Sequence, residues 1–489
     1  MLPPIQLDAS RNEPLYRQLS LKIRDFIDSG VLRSGDRLPA TRELAGQIGL
    51  NRTTVSAAYE LLESEGLIRG HVGRGSFVCE TNPFCSAPSW NGPPPVDSDA
   101  PDRPVPDAEI SFASARPSEL LFPLDEFRAA CRDVIDSDQA QSILQLGSPA
   151  GYAPLRRYLF DAARAEGAAR EDDEILITSG CQQAFDLIQR VLVANGETVL
   201  LEDPVYPGLR NTFARAEARV IGIPVGEAGI EPDTLARVLE RERPRLLVLT
   251  PNFQNPTGAT LPEQARIAIL GMARKTGTLV VENDIYGDLR YEGSPLPTVK
   301  QLDTGAGTVL LRSFSKLAFP GLRVGWIVGP RALIRRLTEA KQLSDLHTDQ
   351  LSQAVLLRFA ESGALQAHRE RVLAAGSARL KAALSACERH LPAGSRFTRP
   401  RGGMSLWVQL PSPLDAGELL PQAQRRGVSY LPGRYFAVSR PEPGSLRLSF
   451  AQLAPEKIHA GLEILGTVFE AEVERAREWR PAELAPAMV

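Results

Sequence analysis

TVLLRSFSKLAFPGLRVGW, residues 308–326, opens as a β-branched and leucine-rich run and closes in a glycine-punctuated turn. A short apolar run bounded by turn signals is the pattern of a strand buried on both faces. Directly behind it come the hydroxyls of Ser313 and Ser315, an amine at Lys316 and a guanidinium at Arg323. Similar runs recur upstream: EILIT (174–178), TVLLED (198–203), RLLVLT (245–250) and GTLVVEN (277–283), each separated from the next by a helical segment. Strands alternating with helices predict an α/β body with a mainly parallel sheet between helices, and SLRLSF (445–450) falls in a smaller C-terminal α/β lobe.

The bulk numbers agree with a multi-domain globular chain. It has 489 residues, too many for one ordinary core, with 43% hydrophobic and 24% charged residues. A net charge of −3 gives no global basic excess, so any nucleic-acid contact must come from local placement. Five cysteines, Cys79, Cys85, Cys131, Cys181 and Cys387, form no C-x-x-C pair, which argues against a zinc site or a disulfide framework; no metal site is expected. The N-terminus shows neither a basic n-region nor an apolar h-region, and no uninterrupted apolar run reaches membrane-spanning length, so a cytoplasmic location is expected, nucleoid-associated when DNA is bound. Four zones follow: a helical head over 7–79, a proline-rich linker over 80–107 containing SAPSWNGPPPVDSDAPDRPVPD, the α/β body over 108–478, and a tail over 479–489.

The residues around 308–326 suit one cofactor. Pyridoxal 5'-phosphate (PLP) requires an amine for its aldehyde, a partner for the pyridine nitrogen, donors for the ring hydroxyl and donors for the phosphate. Lys316 is the candidate amine and catalytic residue; Ser313, Ser315 and Arg323 are phosphate ligands by type and spacing. Gly180 opens the helix CQQAFDLIQRVL, whose first amides at Cys181 and Gln182 can hold the phosphate with the help of the helix dipole. Tyr206, in EDPVYPG, offers an aromatic face, and Asn255, in PNFQNPTG, an amide for the ring hydroxyl. Tyr286 follows the strand that ends in Asn283 and Asp284, and Arg447 is placed to clamp a ligand carboxylate.

In the head, Leu15, Leu19, Ile23, Phe26 and Ile27 share one helical face. LPATRELAGQIGL then gives a short helix ending near Gly49, and Asn51-Arg52-Thr53-Thr54 starts another, with Val55, Ala58, Tyr59 and Leu62 facing inward. Two short helices joined by a tight glycine-containing turn form a helix-turn-helix, whose second helix presents its N-terminal residues to base edges. Arg52, Thr53 and Thr54 hold that place, and HVGRGSFV (71–78) makes a glycine-tipped hairpin.

The ordered wording LYRQL (15–19), GDRLPATRELA (35–45), NRTTVSAAYELLESEGLI (51–68) and GRGSFV (73–78) resembles the GntR-type winged helix over the whole head. That resemblance implies DNA contacts at Arg42, Arg52 and Thr54 and at the wing residues His71, Arg74 and Gly75. From about residue 110 to 475 the body resembles the fold-type-I PLP aminotransferases, and the fusion of the two is similar to the MocR subfamily of regulators. The resemblance implies a homodimer, with the head of one chain lying against the body of the other, binding operator DNA and responding to PLP or an amino-acid-like ligand.

Two positions depart from the enzymes that the body resembles. ILQLGSPAGYAPLR (143–156) carries Leu146 where those enzymes place a tyrosine that reaches the neighbouring subunit's phosphate. The position three before Tyr286, usually an aspartate, is Asn283, while Asp284 is two before it. Neighbouring side chains of a strand point to opposite faces, so one of the two meets the ring: its chemistry favours Asp284, its spacing Asn283. Both departures favour a PLP-bearing sensor that regulates transcription over the alternative, an active aminotransferase with an accessory DNA-binding module.

Overall fold

A computed structural model describes residues 5, 7–8, 14–71, 75–79, 108–439 and 441–478. The linker expected over 80–107, the tail over 479–489 and the wing-tip residue Arg74 lie outside the described residues. The chain divides into two compact units, Met1–Pro95 and Val96–Val489.

The first unit holds three helices, α1 (Leu15–Asp28), α2 (Thr41–Ile48) and α3 (Arg52–Ser64), and a hairpin of β1 (Ile68–His71) and β2 (Gly75–Val78). Of the faces read from the sequence, Leu19, Ile23, Ile27, Val55, Ala58, Tyr59 and Leu62 are buried together, joined by Leu44, Ile68 and Val78, while Leu15 and Phe26 stay half-buried. Gly49 ends α2 in the left-handed region at φ 67°, and Asn51 caps α3 by accepting from Thr53 N, so the turn and the start of α3 are fixed within three residues. Residues 35–38 run along β2 as a further edge: Gly35 N donates to Val78 O and Leu38 N to Ser76 O, both at 2.9 Å.

In the second unit, β3 (Ile110–Ser111) precedes β4 (Asp173–Thr178), β5 (Thr198–Asp203), β6 (Arg219–Gly226), β7 (Gly229–Ile230), β8 (Leu246–Leu249), β9 (Leu279–Asn283), β10 (Thr308–Ser313) and β11 (Gly325–Pro330). Strands β4 to β11 form one sheet in the order β4-β11-β10-β9-β8-β5-β6-β7. The pairs β5–β6, β5–β8, β8–β9 and β9–β10 are parallel, while β11 runs antiparallel to both of its neighbours. The five runs quoted from the sequence are β4, β5, β8, β9 and β10, and helices cover both faces of the sheet they build. In such sheets ligands gather at the carboxyl ends of the strands, where β4, β5, β8, β9 and β10 all stop.

The C-terminal lobe adds β12 (Arg396–Phe397), β13 (Ser405–Gln409), β14 (Val428–Ser429), β15 (Leu431–Pro432) and β16 (Ser445–Ser449), with sheet order β12-β13-β16-β15. The early strand β3 belongs to this lobe: it pairs in parallel with β14, and Ile110 and Phe112 join the lobe's core. Asp203, at the end of β5, accepts from Val438 N and Ser439 N at 2.9 Å each and ties the lobe to the large sheet. No described helix is long and apolar enough to cross a membrane.

Candidate cofactor site and DNA-reading head

A cavity of about 170 Å³ opens at the carboxyl ends of the strands. Of the residues singled out in the sequence, Cys181, Gln182, Tyr206, Asn255, Asn283, Tyr286, Ser313, Ser315, Lys316 and Arg323 line it. Lys316 follows β10 in a short 3-10 turn that Ser313 caps, its Oγ accepting from Ser315 N at 3.0 Å. The Lys316 Nζ donates to Ala115 O at 2.9 Å and lies 5.6 Å from the Tyr286 ring centre. Burial first, then the Arg447 and Arg323 cations, push its ammonium down to about 8 from the usual 10.5, so about a tenth of it is neutral at pH 7.

Helix Cys181–Leu192 starts at Gly180, whose φ of 78° belongs to the region that favours glycine. A Cβ at Gly180 would collide with the Arg323 guanidinium, so the close approach of that cation to the helix N-terminus requires glycine. Arg323 is itself left-handed at φ 54°, a strained non-glycine conformation of the kind that collects at functional sites. The Cys181 thiol is pushed up to about 12 by burial, so it stays a neutral thiol.

Arg447, on β16, is 5% exposed; its NH1 donates to Asn255 Oδ1 at 3.0 Å and its NH2 to Ala113 O. Its guanidinium lies 4.9 Å from the Phe436 ring centre, and its Nε has no partner among the described residues. Burial lowers its pKa to about 10, which leaves it a buried, charged cation at neutral pH. Asn255 thus positions Arg447 as well as facing the cavity.

The alternation of β9, carried one residue past its end by the bond from Asp284 N to Leu311 O, separates Asn283 from Asp284. Asn283 faces the cavity with Val281 on its side of the strand; Asp284 falls with Glu282 on the other. Asp284 does not line the cavity, and neither do Gly180 and Arg447, which stand beside it next to Cys181 and Asn255. The Asp284 carboxylate accepts from Asn252 Nδ2 at 2.8 Å and from Arg312 Nε at 3.1 Å. Asn252 in turn accepts from Arg266, a fully buried guanidinium that also donates to the carbonyls of Leu261, Pro297 and Pro251. Asp284 therefore fixes the loop that presents Asn255. Glu282 beside it holds the amides of Val299 and Lys300 at 2.8 Å each.

Several contributors were missed in the sequence. Thr250 accepts from Asn283 Nδ2 at 3.3 Å, and Glu202 accepts from Thr250 N at 3.0 Å. Burial pushes the Glu202 carboxyl up to about 8, so it is mainly neutral at pH 7. An acidic residue inside the apolar run TVLLED was the available signal. The carbonyls of Ala113 and Ala115 had none, since backbone acceptors leave no mark in a side-chain pattern. Leu146 is 73% exposed, and Tyr152, hydrogen-bonded to Gln139 at 3.2 Å, does not line the cavity.

The cavity fits PLP by observation. The Arg323 cation sits at a helix N-terminus, a neutralisable lysine stands beside a tyrosine ring, and the buried Oδ1 of Asn283 has no partner among the described residues. Among the described residues no His, Cys, Asp or Glu cluster is placed to hold a metal ion.

In the head, Arg52 and Thr53 are exposed at the start of α3, Thr54 is half-buried beside them, and Arg42 is exposed on α2. His71 and Gly75 pair across the wing where it leaves the described residues. Gly75 has φ 99°, and a Cβ there would sit 3.0 Å from Arg37 Nε. Arg37 is thereby a further cation at the wing, one that the sequence reading did not single out.

The model of the family "Aminotransferase class I and II" matches residues 115–465, and that of "Bacterial regulatory proteins, gntR family" matches residues 15–78. The chain is 31% identical over 477 residues to the uncharacterized HTH-type transcriptional regulator YdfD of Bacillus subtilis, covering 94% of this chain and 98% of that one. It is 28% identical over 481 residues to the probable rhizopine catabolism regulatory protein MocR of Rhizobium meliloti, covering 95% and 96%. Among solved structures, LysN, an alpha-aminoadipate aminotransferase of Thermus thermophilus complexed with N-(5'-phosphopyridoxyl)-L-leucine, is 37% identical, with a TM-score of 0.70 over 75% of this chain and 93% of that one.

Proposed function

Because the chain belongs to the aminotransferase class I and II family and carries a gntR-family head in the MocR order, we propose that it is a DNA-binding regulator that holds PLP at Lys316 and senses an amino-acid-like ligand. The observation that carries this reading is the convergence of two cations on one backbone segment. Lys316 Nζ donates to Ala115 O, and Arg447 NH2 to Ala113 O. When bound, PLP supplies an aldehyde that reacts reversibly with amines, on a ring whose pull on electrons depends on whether its nitrogen is protonated.

The residues in and beside the cavity then each have a task. Gly180, Cys181 and Gln182 offer helix N-terminal amides to the phosphate, joined by Ser313, Ser315 and Arg323. Tyr206 and Tyr286 supply aromatic surface, and Asn255 faces the ring hydroxyl while orienting Arg447. Arg447 takes the ligand carboxylate through its planar fork. A leucine conjugate of the cofactor in the structure of LysN supports an amino acid as the ligand class.

A carboxylate on Arg447 and a bond at Lys316 both compete with carbonyls of residues 113–115. That segment follows β3, and its chain leads back through residues 80–107 to the head. A ligand that binds the displaced arrangement more tightly shifts the population of that arrangement, which is the requirement for coupling to DNA affinity. In the head, Arg42, Arg52, Thr53, Thr54, His71, Arg74 and Gly75 are the proposed DNA contacts. The proposal includes a homodimer in the cytoplasm, nucleoid-associated when bound to DNA.

After reconstitution with PLP, the wild type is expected to show a visible absorbance band that Lys316→Ala abolishes. A wild type that remains colourless overturns the reading.

A further inference from the structure

Asn283, with Thr250 beside it, is what the phosphate, aldehyde and hydroxyl partners leave over among the polar side chains of the cavity. It stands at the end of β9, 7% exposed, with Oδ1 unpartnered among the described residues and Nδ2 at 3.3 Å from Thr250 Oγ1. We infer that Asn283 meets the pyridine nitrogen of PLP, so that this site holds the ring through a neutral amide and leaves its nitrogen unprotonated. The inference rests on the PLP reading above and adds what the site does with a bound ligand.

Keeping a pyridine nitrogen charged requires an ionised acceptor beside it, because an opposite charge within about 4–6 Å is what favours a buried cation. Asn283 provides none. An amide has a donor end and an acceptor end, and the Thr250 hydroxyl can accept from one or donate to the other. The Asn283 side chain can therefore turn its NH₂ to a ring nitrogen that carries a lone pair without losing Thr250.

The carboxylates that could substitute are engaged elsewhere. Asp284 is held on the opposite side of β9 by Asn252 and Arg312, and Glu282 on that same side is spent on the amides of Val299 and Lys300. Glu202 lies behind Thr250, where burial raises its pKa and keeps it mainly neutral at pH 7. Lys316, Arg323 and Arg447 add positive charge around the cavity, which further disfavours a pyridinium. An unprotonated ring is a poor sink for electrons, so the Cα–H of a bound amino acid is not acidified. The ligand stays bound with its Cα proton in place, as a sensor requires and a transaminase does not.

The test is the nitrogen resonance of the wild type loaded with PLP labelled with ¹⁵N in the ring. The expected signal lies in the free-pyridine range at neutral pH, and in Asn283→Asp it moves to the pyridinium range. As a second readout, exchange of the Cα proton of a bound amino acid with deuterated solvent is expected to rise at least about tenfold in Asn283→Asp, about 1.4 kcal/mol of barrier. A wild-type signal in the pyridinium range overturns the inference even if the variant fails to fold. A signal unchanged by Asn283→Asp also overturns it, by showing that another residue meets the nitrogen. Wild type that takes up no PLP overturns the cofactor reading itself, and is told apart by the absence of any visible band.

Discussion

Replacing Lys316 with methionine should stabilise the protein in the absence of PLP. Lys316 is held at about 8 where a free lysine titrates at 10.5, first by burial and then by the neighbouring Arg447 and Arg323 cations. At about 1.4 kcal/mol per pKa unit, the charged form costs the folded state up to about 3 kcal/mol at pH 7. The variant also loses the hydrogen bond to Ala115 O, which is worth about 1 kcal/mol net. The balance is a gain of about 2 kcal/mol, or about 2–3 °C in thermal midpoint for a unit of this size. The gain depends on pH in a fixed direction. The folded pKa lies below the unfolded one, so between about pH 8 and 10.5 the unfolded state binds more protons, and wild-type stability rises with pH through that window. The advantage of Lys316→Met should therefore be full at pH 7 and shrink steadily above pH 8. Saturating PLP should reverse the ranking, since ligand at 100 times its Kd adds about 2.7 kcal/mol to the wild type that binds it. Differential scanning of both PLP-free proteins from pH 7 to 10 checks this. A difference that does not change with pH, or a variant less stable at pH 7, refutes the reasoning.

Gly180→Ala forces a side chain into the left-handed region and against Arg323, so PLP affinity measured by absorbance titration should fall at least tenfold with little change in the head. Arg447→Ala removes a buried fork with room for one more partner; the affinity for an amino-acid ligand should drop about 100-fold or more, while PLP binding persists, both read by calorimetry. Arg52→Ala removes an exposed cation at the start of α3 and should weaken DNA binding by about 1–3 kcal/mol in a mobility-shift titration, without altering the visible band.

Much of this was written in the sequence. The strands were legible because a parallel sheet covered on both faces demands continuous apolar runs, and the head because Val55, Ala58, Tyr59 and Leu62 can only pack inward at helical spacing. Ser313, Ser315, Lys316 and Arg323 were legible because they sit within eleven residues behind one strand. What the sequence left open were questions of direction. Asn283 and Asp284 are adjacent, and only the alternation of β9, together with the hold of Asn252 and Arg312 on Asp284, decides which one faces the cavity. Long-range partners were equally invisible. Ala113 O and Ala115 O reach Arg447 and Lys316 across more than two hundred residues of chain, and β3 was not anticipated as a strand of the C-terminal lobe.

The central claim is that a ligand at Lys316 and Arg447 controls DNA affinity. The most direct measurement is the Kd of the PLP-loaded protein for the DNA adjoining its own coding sequence, titrated with each common amino acid in turn, in wild type and in Arg447→Ala. Coupling energies of this kind are typically about 1–3 kcal/mol, so at least one amino acid should change the wild-type Kd by about 5- to 150-fold and leave that of Arg447→Ala unchanged. Tight DNA binding that no amino acid and no PLP depletion alters would contradict the account.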